Sequence, residues 1–169
     1  MARSRFEEVF LPHLSAAYNF ARWLTRNEYD AQDVVQESYL RALDSFKTFE
    51  HGRDARAWLL TIVRNTCYTW MRRNRAPQQA DLAAEPAATT PDPEAALLEL
   101  ADAETVRRAL AELPVEYREV MVLREMEGLS YKEIAPALGI PLGTVMSRLS
   151  RARKELYRRL QKERGEKSA

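Results

Sequence analysis

The chain has 169 residues, of which 46% are hydrophobic and 30% charged, and its formal net charge is +1 at pH 7. This composition excludes a chain that is disordered throughout, and the five glycines among many Ala, Leu, Arg and Glu favour helices. One cysteine excludes an intramolecular disulfide framework, and no apolar run approaches the ~18 residues of a membrane span. We therefore expect a cytoplasmic protein without membrane contact.

Positive and negative charges lie in separate stretches. Residues 53–75 contain six arginines and one acid, whereas residues 76–104 contain seven acids and no lysine or arginine. Residues 148–164 contain eight lysines or arginines and two acids. Because an ordinary solvated surface intersperses the two signs, this segregation indicates specific contact surfaces.

The N-terminal part has the hydrophobic periodicity of three helices. The pattern predicts one helix over 5–26, a second capped by Asp30, and a third over 55–75, with a loop around Gly52. The residues that this periodicity places on buried faces include Leu14, Tyr18, Tyr39 and Leu43. Three helices with short connections predict a compact bundle.

Residues 76–93 hold four prolines among alanines and acids. Since proline removes a backbone donor and disfavours helix for the residue before it, we expect a flexible acidic linker here. Such a linker spans at most ~60 Å when extended, or about seventeen base pairs of DNA. Helical periodicity resumes at Ala96, and Pro114 and Gly128 mark the start and end of a further helix.

A helix-turn-helix pattern follows this helix. Ser130 and Glu133 predict a capping box, Gly139 supplies a turn, and a longer helix begins near Leu142. Opposite the apolar stripe of that longer helix lie Ser147, Ser150, Arg151, Lys154 and Arg158. Serine and arginine suit base edges and outer lysines suit phosphates, so the helix is predicted to enter the DNA major groove. A less specific interpretation is that these charges only solubilise a surface helix.

The third predicted helix combines arginines with Trp58, Tyr68 and Trp70 and contains no acid. Basic residues interleaved with aromatic ones suit a surface that follows phosphates and stacks unpaired bases. Trp58 by itself is more typical of a hydrophobic core. The run Asp-Val-Val-Gln-Glu at 33–37 is, on physical grounds alone, typical of a solvated acidic helix face.

Three motifs follow one another along the chain: the acidic run at 33–37, the segment from Phe49 through Arg56-Ala57-Trp58-Leu59 to Asn65, and the helix-turn-helix from Leu113-Pro114 to Arg153. In this order they resemble the motifs of bacterial RNA polymerase sigma factors of the extracytoplasmic function class. The resemblance implies an all-α fold with two small helical domains. Residues 1–75 would form sigma domain two, 76–93 the linker, and 94–169 sigma domain four.

The resemblance also implies a role for each motif. Three residues would bind the clamp helices of the largest subunit of core RNA polymerase: Asp33, Gln36 and Glu37. Seven would read and melt the −10 element of promoter DNA: Phe49, His51, Arg53, Arg56, Arg64, Asn65 and Thr69. Eight would read the −35 element: Lys132, Thr144, Met146, Ser147, Arg148, Ser150, Arg151 and Lys154. Domain four would also contact the flap region of the polymerase, and no cofactor is implied.

Three departures from the family pattern limit this assignment. Met146 occupies a position where relatives often have arginine or lysine, so an apolar contact, for example with a thymine methyl, is expected there. Pro136 lies inside the first motif helix, where we expect a kink or an early 3₁₀ end. The loop sequence at 50–54 is individual to this chain, so its base preference does not follow from the family.

Two other function classes compete with this interpretation. An enzyme would need a nucleophile and base, such as Cys67 with His51, or a metal site with His13, but no ligand or catalytic spacing accompanies these residues. A helix-turn-helix regulator that acts without core polymerase would explain the C-terminal half but leaves the N-terminal motifs without a role. Many sigma factors of this class are restrained by an anti-sigma factor, and the sequence leaves open whether one acts here.

Overall fold

The computed structural model describes residues 2–50, 52–74 and 102–167, and these residues form helices, turns and loops without a strand. The N-terminal helices are α1 (Ala2–Phe10), α2 (Leu14–Thr25), α3 (Glu28–Asp44) and α4 (Ala55–Asn74). The C-terminal helices are α5 (Ala103–Ala111), α6 (Val115–Met121), α7 (Tyr131–Leu138) and α8 (Leu142–Lys167), and a π-helical turn, Val122–Met126, extends α6. None of these described helices is long and apolar enough to cross a membrane.

The predicted all-α fold with two helical domains is confirmed. We call the described residues up to 74 domain two and those from 102 onward domain four. The predicted linker, 76–93, and the domain limits at 75 and 94 lie outside the described residues and stay predictions.

The first helix does not run continuously over 5–26. It is divided by a 3₁₀ turn, Leu11–His13, that contains Pro12. Proline disfavours the α conformation for the residue before it and lacks the N–H that a continuous helix would use. The prediction of one helix was therefore wrong, and Leu14, which follows the turn, lies at the surface.

Asn27, and not Asp30, caps the second helix. The Asn27 side-chain oxygen accepts the N–H groups of Tyr29 and Asp30 at 2.9 and 3.0 Å. Asp30 lies in the first turn of α3, where its negative charge favours the positive end of the helix dipole. The helix consequently begins at Glu28, three residues before the start that a cap at Asp30 would give.

Aromatic rings form one end of the core of domain two. Phe10 contacts Phe49 and Trp58 with ring centroids 5.3 and 5.2 Å apart, and Phe49 lies 5.2 Å from Trp58. Trp58 is thus a core residue, as the sequence favoured. This cluster fixes the start of α4 against the end of α1, while α4 packs along α2 and α3.

The helix-turn-helix forms as its local signals predict. Ser130 and Glu133 make the expected capping box, and Gly139 adopts φ +66° at the end of α7. The N–H groups of Gly139 and Ile140 bond to the carbonyls of Pro136 at 3.3 Å and Ala135 at 3.0 Å, which is a Schellman motif. The helix runs through Pro136 to Leu138, so the expected early 3₁₀ end does not occur.

The two domains pack directly against each other. Helix α7 lies on α4, and α6 lies on α2. This contact could not be predicted from the sequence, because no local pattern indicates which helices of different domains meet. It places part of the predicted DNA-reading surface at an interdomain interface.

Candidate nucleic-acid and polymerase interfaces

The first turns of α8 carry most of the predicted −35 residues. Val145, Leu149 and Ala152 are buried, which turns the residues between them away from the core. Met146 is 51% exposed and Lys154 is also exposed. The other predicted readers on this helix are half-buried: Thr144, Ser147, Arg148, Ser150 and Arg151. Lys132 stands apart from them, on α7, where it lines a cavity facing domain two.

Helix α4 carries the predicted −10 readers beyond the loop. Asn65 is exposed, and its main-chain carbonyl accepts the Thr69 hydroxyl at 3.0 Å. Arg56 is half-buried near the start of the helix. Arg64 is directed into the interdomain interface, where its guanidinium lies 4.0 Å from the centre of the Tyr68 ring. Asn65 is therefore accessible to solvent, whereas the Arg64 side chain contacts other residues of the protein.

The loop before α4 is anchored at both ends. Phe49 packs into the aromatic cluster, and Asp54 accepts the N–H of Ala57 at 3.2 Å as an N-cap. The Glu133 side chain, which lines the same cavity as Asp54, and the N–H groups at the start of α4 lower the pKa of Asp54. Gly52 adopts φ +96°, which other residues rarely adopt. Arg53 is exposed, and His51 lies outside the described residues.

Glu119 is a buried carboxylate that the sequence analysis missed. It lies on α6, is 0% exposed, and accepts Arg64 Nε at 3.0 Å and Nη2 at 3.4 Å. Burial raises the pKa of Glu119, against the opposing effect of the Arg64 charge. An available signal was the pair Arg118-Glu119 directly before the apolar run 120–123, because two charges next to such a run need partners.

Arg118 is the second buried charge of α6. Its Nη1 donates to the carbonyls of Leu113 at 2.7 Å and Ala111 at 3.2 Å, and its Nη2 donates to the carbonyl of Leu24 at 3.2 Å. Leu24 lies in the last turn of α2, where carbonyls have no partner within the helix. One side chain thus joins the end of α5 to domain two.

An apolar groove of about 580 Å³ crosses the opposite face of domain two. Its lining includes the exposed residues Leu11, Leu14, Leu40 and Leu43, with Leu40 59% exposed. Gln36 lies along the groove, and Asp33 is exposed one turn earlier on α3. Glu37 forms an ion pair with Arg41 at 2.7 Å. The predicted polymerase-binding residues therefore lie beside an exposed apolar surface, and two of its leucines, Leu14 and Leu43, had been assigned to the core by their periodicity.

Among the described residues, no group of three or more His, Cys, Asp or Glu side chains is placed to hold a metal ion. Cys67 is buried, and its burial raises the pKa of the thiol. A protonated, inaccessible thiol is a poor nucleophile.

Comparison with known proteins identifies both domains. Residues 9–76 match the family Sigma-70 region 2, and residues 103–156 match Sigma-70, region 4. The chain is 31% identical over 167 residues to the RNA polymerase sigma factor YlaC of Bacillus subtilis, covering 97% of this chain and 96% of YlaC. It is 35% identical over 158 residues to the ECF RNA polymerase sigma factor SigM of Mycobacterium tuberculosis, covering 94% and 78% of the two chains.

A solved structure shares the fold. The sigma factor RpoE in complex with the anti-sigma factor NepR from Bartonella quintana is similar with a TM-score of 0.71 and 34% identity, covering 93% of this chain and 97% of RpoE. The family matches cover both domains, in the order that the sequence motifs predicted. The chain therefore belongs to the extracytoplasmic function class of bacterial RNA polymerase sigma factors.

Proposed function

We propose that the chain is a transcription initiation factor that binds core RNA polymerase and directs it to promoters by reading their −10 and −35 elements. The observation that carries the proposal is the presence, in one sigma-family chain, of a helix-turn-helix domain and a second domain with a basic helix that exposes Asn65. The first suits duplex recognition and the second suits strand opening. The chemistry of RNA synthesis belongs to the polymerase, so the chain itself is not an enzyme.

The apolar groove of domain two is the proposed docking site for the polymerase clamp helices. Exposed leucines supply apolar area, and Asp33, Gln36 and Glu37 form a polar edge on α3. An exposed apolar patch with a polar rim is typical of a protein–protein interface. Domain four makes a second polymerase contact, at the flap region.

The −10 element is opened and read by the loop and α4. The Asn65 amide both donates and accepts hydrogen bonds, which suits the edge of an extruded base. Extruding a base costs a few kcal/mol, which polar edge contacts and stacking offset. Phe49 supports this function by anchoring the loop, since its ring packs against both Phe10 and Trp58. Arg53 and Arg56 supply positive charge at the same end of α4.

The −35 element is read by the first turns of α8 in the major groove. Arg148 and Arg151 suit guanine edges or phosphates, Lys154 suits a phosphate, and Met146 suits a thymine methyl. Thr144, Ser147 and Ser150 supply short hydroxyl groups for close approach. Base specificity at this element therefore combines polar and apolar contacts.

Run-off transcription with core RNA polymerase on a promoter library tests the proposal. Core enzyme with this chain is expected to produce discrete transcripts from a subset of templates, whereas core enzyme alone does not. The recovered templates should share two elements whose sequences define the specificity. If the chain binds duplex DNA alone but neither joins core nor starts transcripts, it is a helix-turn-helix regulator and the proposal is wrong.

An anti-sigma factor is a further proposed partner. The related RpoE of Bartonella quintana was solved in complex with one. The exposed leucines on domain two offer an apolar surface for which such a partner and the polymerase would compete. Co-purification of this chain with a small protein that blocks run-off transcription would support this assignment.

A further inference from the structure

A cavity of about 780 Å³ lies between α2 of domain two and the α5 end of domain four. One wall is formed by α2 and by Arg26 at its end, and the other by α5 and Met126. None of the residues predicted to bind DNA or polymerase lines it. Its volume is within the range of roughly 300–1,000 Å³ that is typical of small-molecule sites.

Three exposed arginines line this cavity: Arg22, Arg26 and Arg107. Within the described part of the chain, none of the three guanidiniums has a hydrogen-bond or ion-pair partner, and no described lining residue is acidic. By contrast, Arg41 and Arg153 each pair with a glutamate. Since guanidiniums bind phosphates and carboxylates through paired N–H groups, three uncompensated ones around one cavity favour a ligand with several negative charges.

Arg26 has an unusual main-chain conformation at the rim of the cavity. It ends α2 with φ 59° and ψ 22°, and the other described residues with positive φ are glycines. Glycine adopts this left-handed conformation without the steric cost that a side chain adds. A residue kept in such a conformation is often a functional one. The Arg26 side chain is therefore a candidate for ligand contact.

Arg118 makes this end of α2 compatible with an anion. The carboxyl end of a helix carries partial negative charge, which would repel a phosphate. Arg118 is buried, and its Nη2 donates to the carbonyl of Leu24 in the last turn of α2 at 3.2 Å. Its Nη1 donates to the carbonyl of Ala111, which itself lines the cavity, at 3.2 Å. A fourth positive charge thus lies behind the wall and offsets the helix end.

Trp23 adds an aromatic ring between the arginines of α2. It lines the cavity and is half-buried, with part of its ring packed against the core. Asn19 lies one turn before it and donates through Nδ2 to the Glu127 carboxylate at 3.2 Å, which leaves its amide oxygen as an acceptor. An aromatic ring beside cations suits a nucleotide, because the base stacks on the ring while the phosphates bind the cations.

We propose that this cavity binds a nucleotide with two or more phosphates, which Arg22, Arg26 and Arg107 hold while Trp23 stacks on the base. A single phosphate would leave part of the three guanidiniums uncompensated, so a polyphosphate fits better. The inference goes beyond the proposed function. Its test uses the free chain without polymerase or DNA, so its failure is distinct from a failure of run-off transcription.

Isothermal titration calorimetry of the full chain with ATP, at about 0.15 M salt to screen non-specific attraction, tests the proposal. ATP is expected to bind, and AMP and inorganic tripolyphosphate should each bind roughly tenfold more weakly, because one lacks phosphates and the other lacks a base. If ATP does not bind, the proposal is overturned. If tripolyphosphate binds as tightly as ATP, the cavity binds anions without recognising a base, and the nucleotide assignment is wrong.

Arg107→Gln and Arg108→Gln form a matched pair of variants. Both arginines are exposed and adjacent on α5, but Arg108 does not line the cavity and donates to Thr105 at 3.4 Å. Arg107→Gln and Arg22→Gln should each weaken ATP binding roughly fivefold or more, whereas Arg108→Gln should bind as the wild type does. Equal losses in Arg107→Gln and Arg108→Gln would show that only net charge matters and would overturn the site.

Trp23→Phe locates the base. ATP should quench the tryptophan fluorescence of the wild type, since the base stacks on Trp23. Trp23→Phe keeps a stacking ring, so it should retain most of the affinity for ATP while the quenching is lost. Quenching that persists in Trp23→Phe would place the base at another tryptophan and contradict the proposal.

Discussion

The Ser130 hydroxyl accepts the N–H of Glu133 at 3.2 Å, and the Glu133 carboxylate accepts the N–H of Ser130 at 2.9 Å. This reciprocal pair satisfies two main-chain donors at the start of α7 that have no partner within the helix. Glu133 also lines the cavity between α7 and α4. Glu133 thus helps to cap the first helix of the helix-turn-helix and also forms part of the domain interface.

Substitution of the cap should destabilise domain four measurably. Ser130→Ala is expected to lower the free energy of unfolding by about 1 kcal/mol, because one helix N–H loses its acceptor. Urea denaturation followed by circular dichroism measures this loss. Ser15→Ala, at an exposed position of α2, is the control and should change the free energy by less than about 0.5 kcal/mol. Equal losses in the two variants would show that the capping box contributes nothing specific.

Tyr39 should make stability fall at alkaline pH. Its hydroxyl donates to the Phe10 carbonyl at 2.7 Å, and burial raises the pKa of Tyr39 from its ordinary value of 10.0 to about 12. Between these values the unfolded chain loses a proton that the folded chain keeps. The raised pKa of Tyr39 therefore contributes fully to the free energy of unfolding below pH 10, and this contribution is lost as the pH rises to about 12.

Tyr39→Phe tests this pH dependence. The difference in free energy of unfolding between about pH 9 and about pH 11 should be smaller in Tyr39→Phe than in the wild type, since the variant cannot ionise there. Tyr29→Phe, at a side chain that is 75% exposed, should retain the wild-type slope. The same slope in all three proteins would contradict a raised pKa of Tyr39.

Local signals predicted the local structure of domain four well. The capping box at Ser130 and the turn at Gly139 each depend on residues within a few positions of one another, so the sequence suffices to find them. Pro12 was an equally local signal, and the prediction of a continuous first helix overlooked it. Periodicity assigned Leu14 and Leu43 to the core because it cannot distinguish a core face from an exposed apolar groove.

The interdomain contacts could not be predicted in the same way. Arg64 and Glu119 are 55 positions apart in the chain, and their pairing depends on how two separately formed domains meet. The arginines of α4 have no acid within their own helix, and the partner of Arg64 comes from domain four. Glu119 itself became interpretable only once its burial and the direction of Arg64 were known.

Met146 should read a thymine methyl in the −35 element. Met146→Ala is expected to weaken binding to a −35 duplex by about 1 kcal/mol, because an apolar contact of roughly one methylene group is lost. Replacement of each thymidine in the duplex by deoxyuridine removes its methyl group, and a double-mutant cycle should show coupling at one position. Met126→Ala, exposed outside α8, should bind as the wild type does. If the free-energy changes of Met146→Ala and of the deoxyuridine replacement add up at every thymidine, Met146 does not contact a thymine methyl.

Asn65 should act in strand opening and not in assembly. Asn65→Ala is expected to leave the affinity for core polymerase unchanged and to reduce permanganate reactivity of −10 thymines at least tenfold, since the extruded base loses hydrogen bonds on its edge. Asn74→Ala, at an exposed asparagine near the end of the same helix, is the control and should open promoters normally. If the −10 thymines react with permanganate equally in Asn65→Ala and in the wild type, Asn65 does not take part in opening the −10 element.

Leu40 should be required for polymerase binding. It is 59% exposed in the apolar groove, so Leu40→Asp replaces an apolar contact by a charge without disturbing a packed core. The affinity for core polymerase should fall at least tenfold, which corresponds to about 1.4 kcal/mol or more. Competition against a fluorescent sigma factor measures this change.

Tyr29→Asp is the matched control for Leu40→Asp. Tyr29 lies on the same helix and is more exposed, yet it lies outside the groove. The two variants introduce the same charge, so only a groove-specific interface predicts that they differ. Both should bind a −35 duplex equally well, because α8 is unchanged. If Leu40→Asp binds core polymerase as tightly as Tyr29→Asp, the clamp helices dock elsewhere on domain two, and Asp33 and Gln36 lose their proposed role with it.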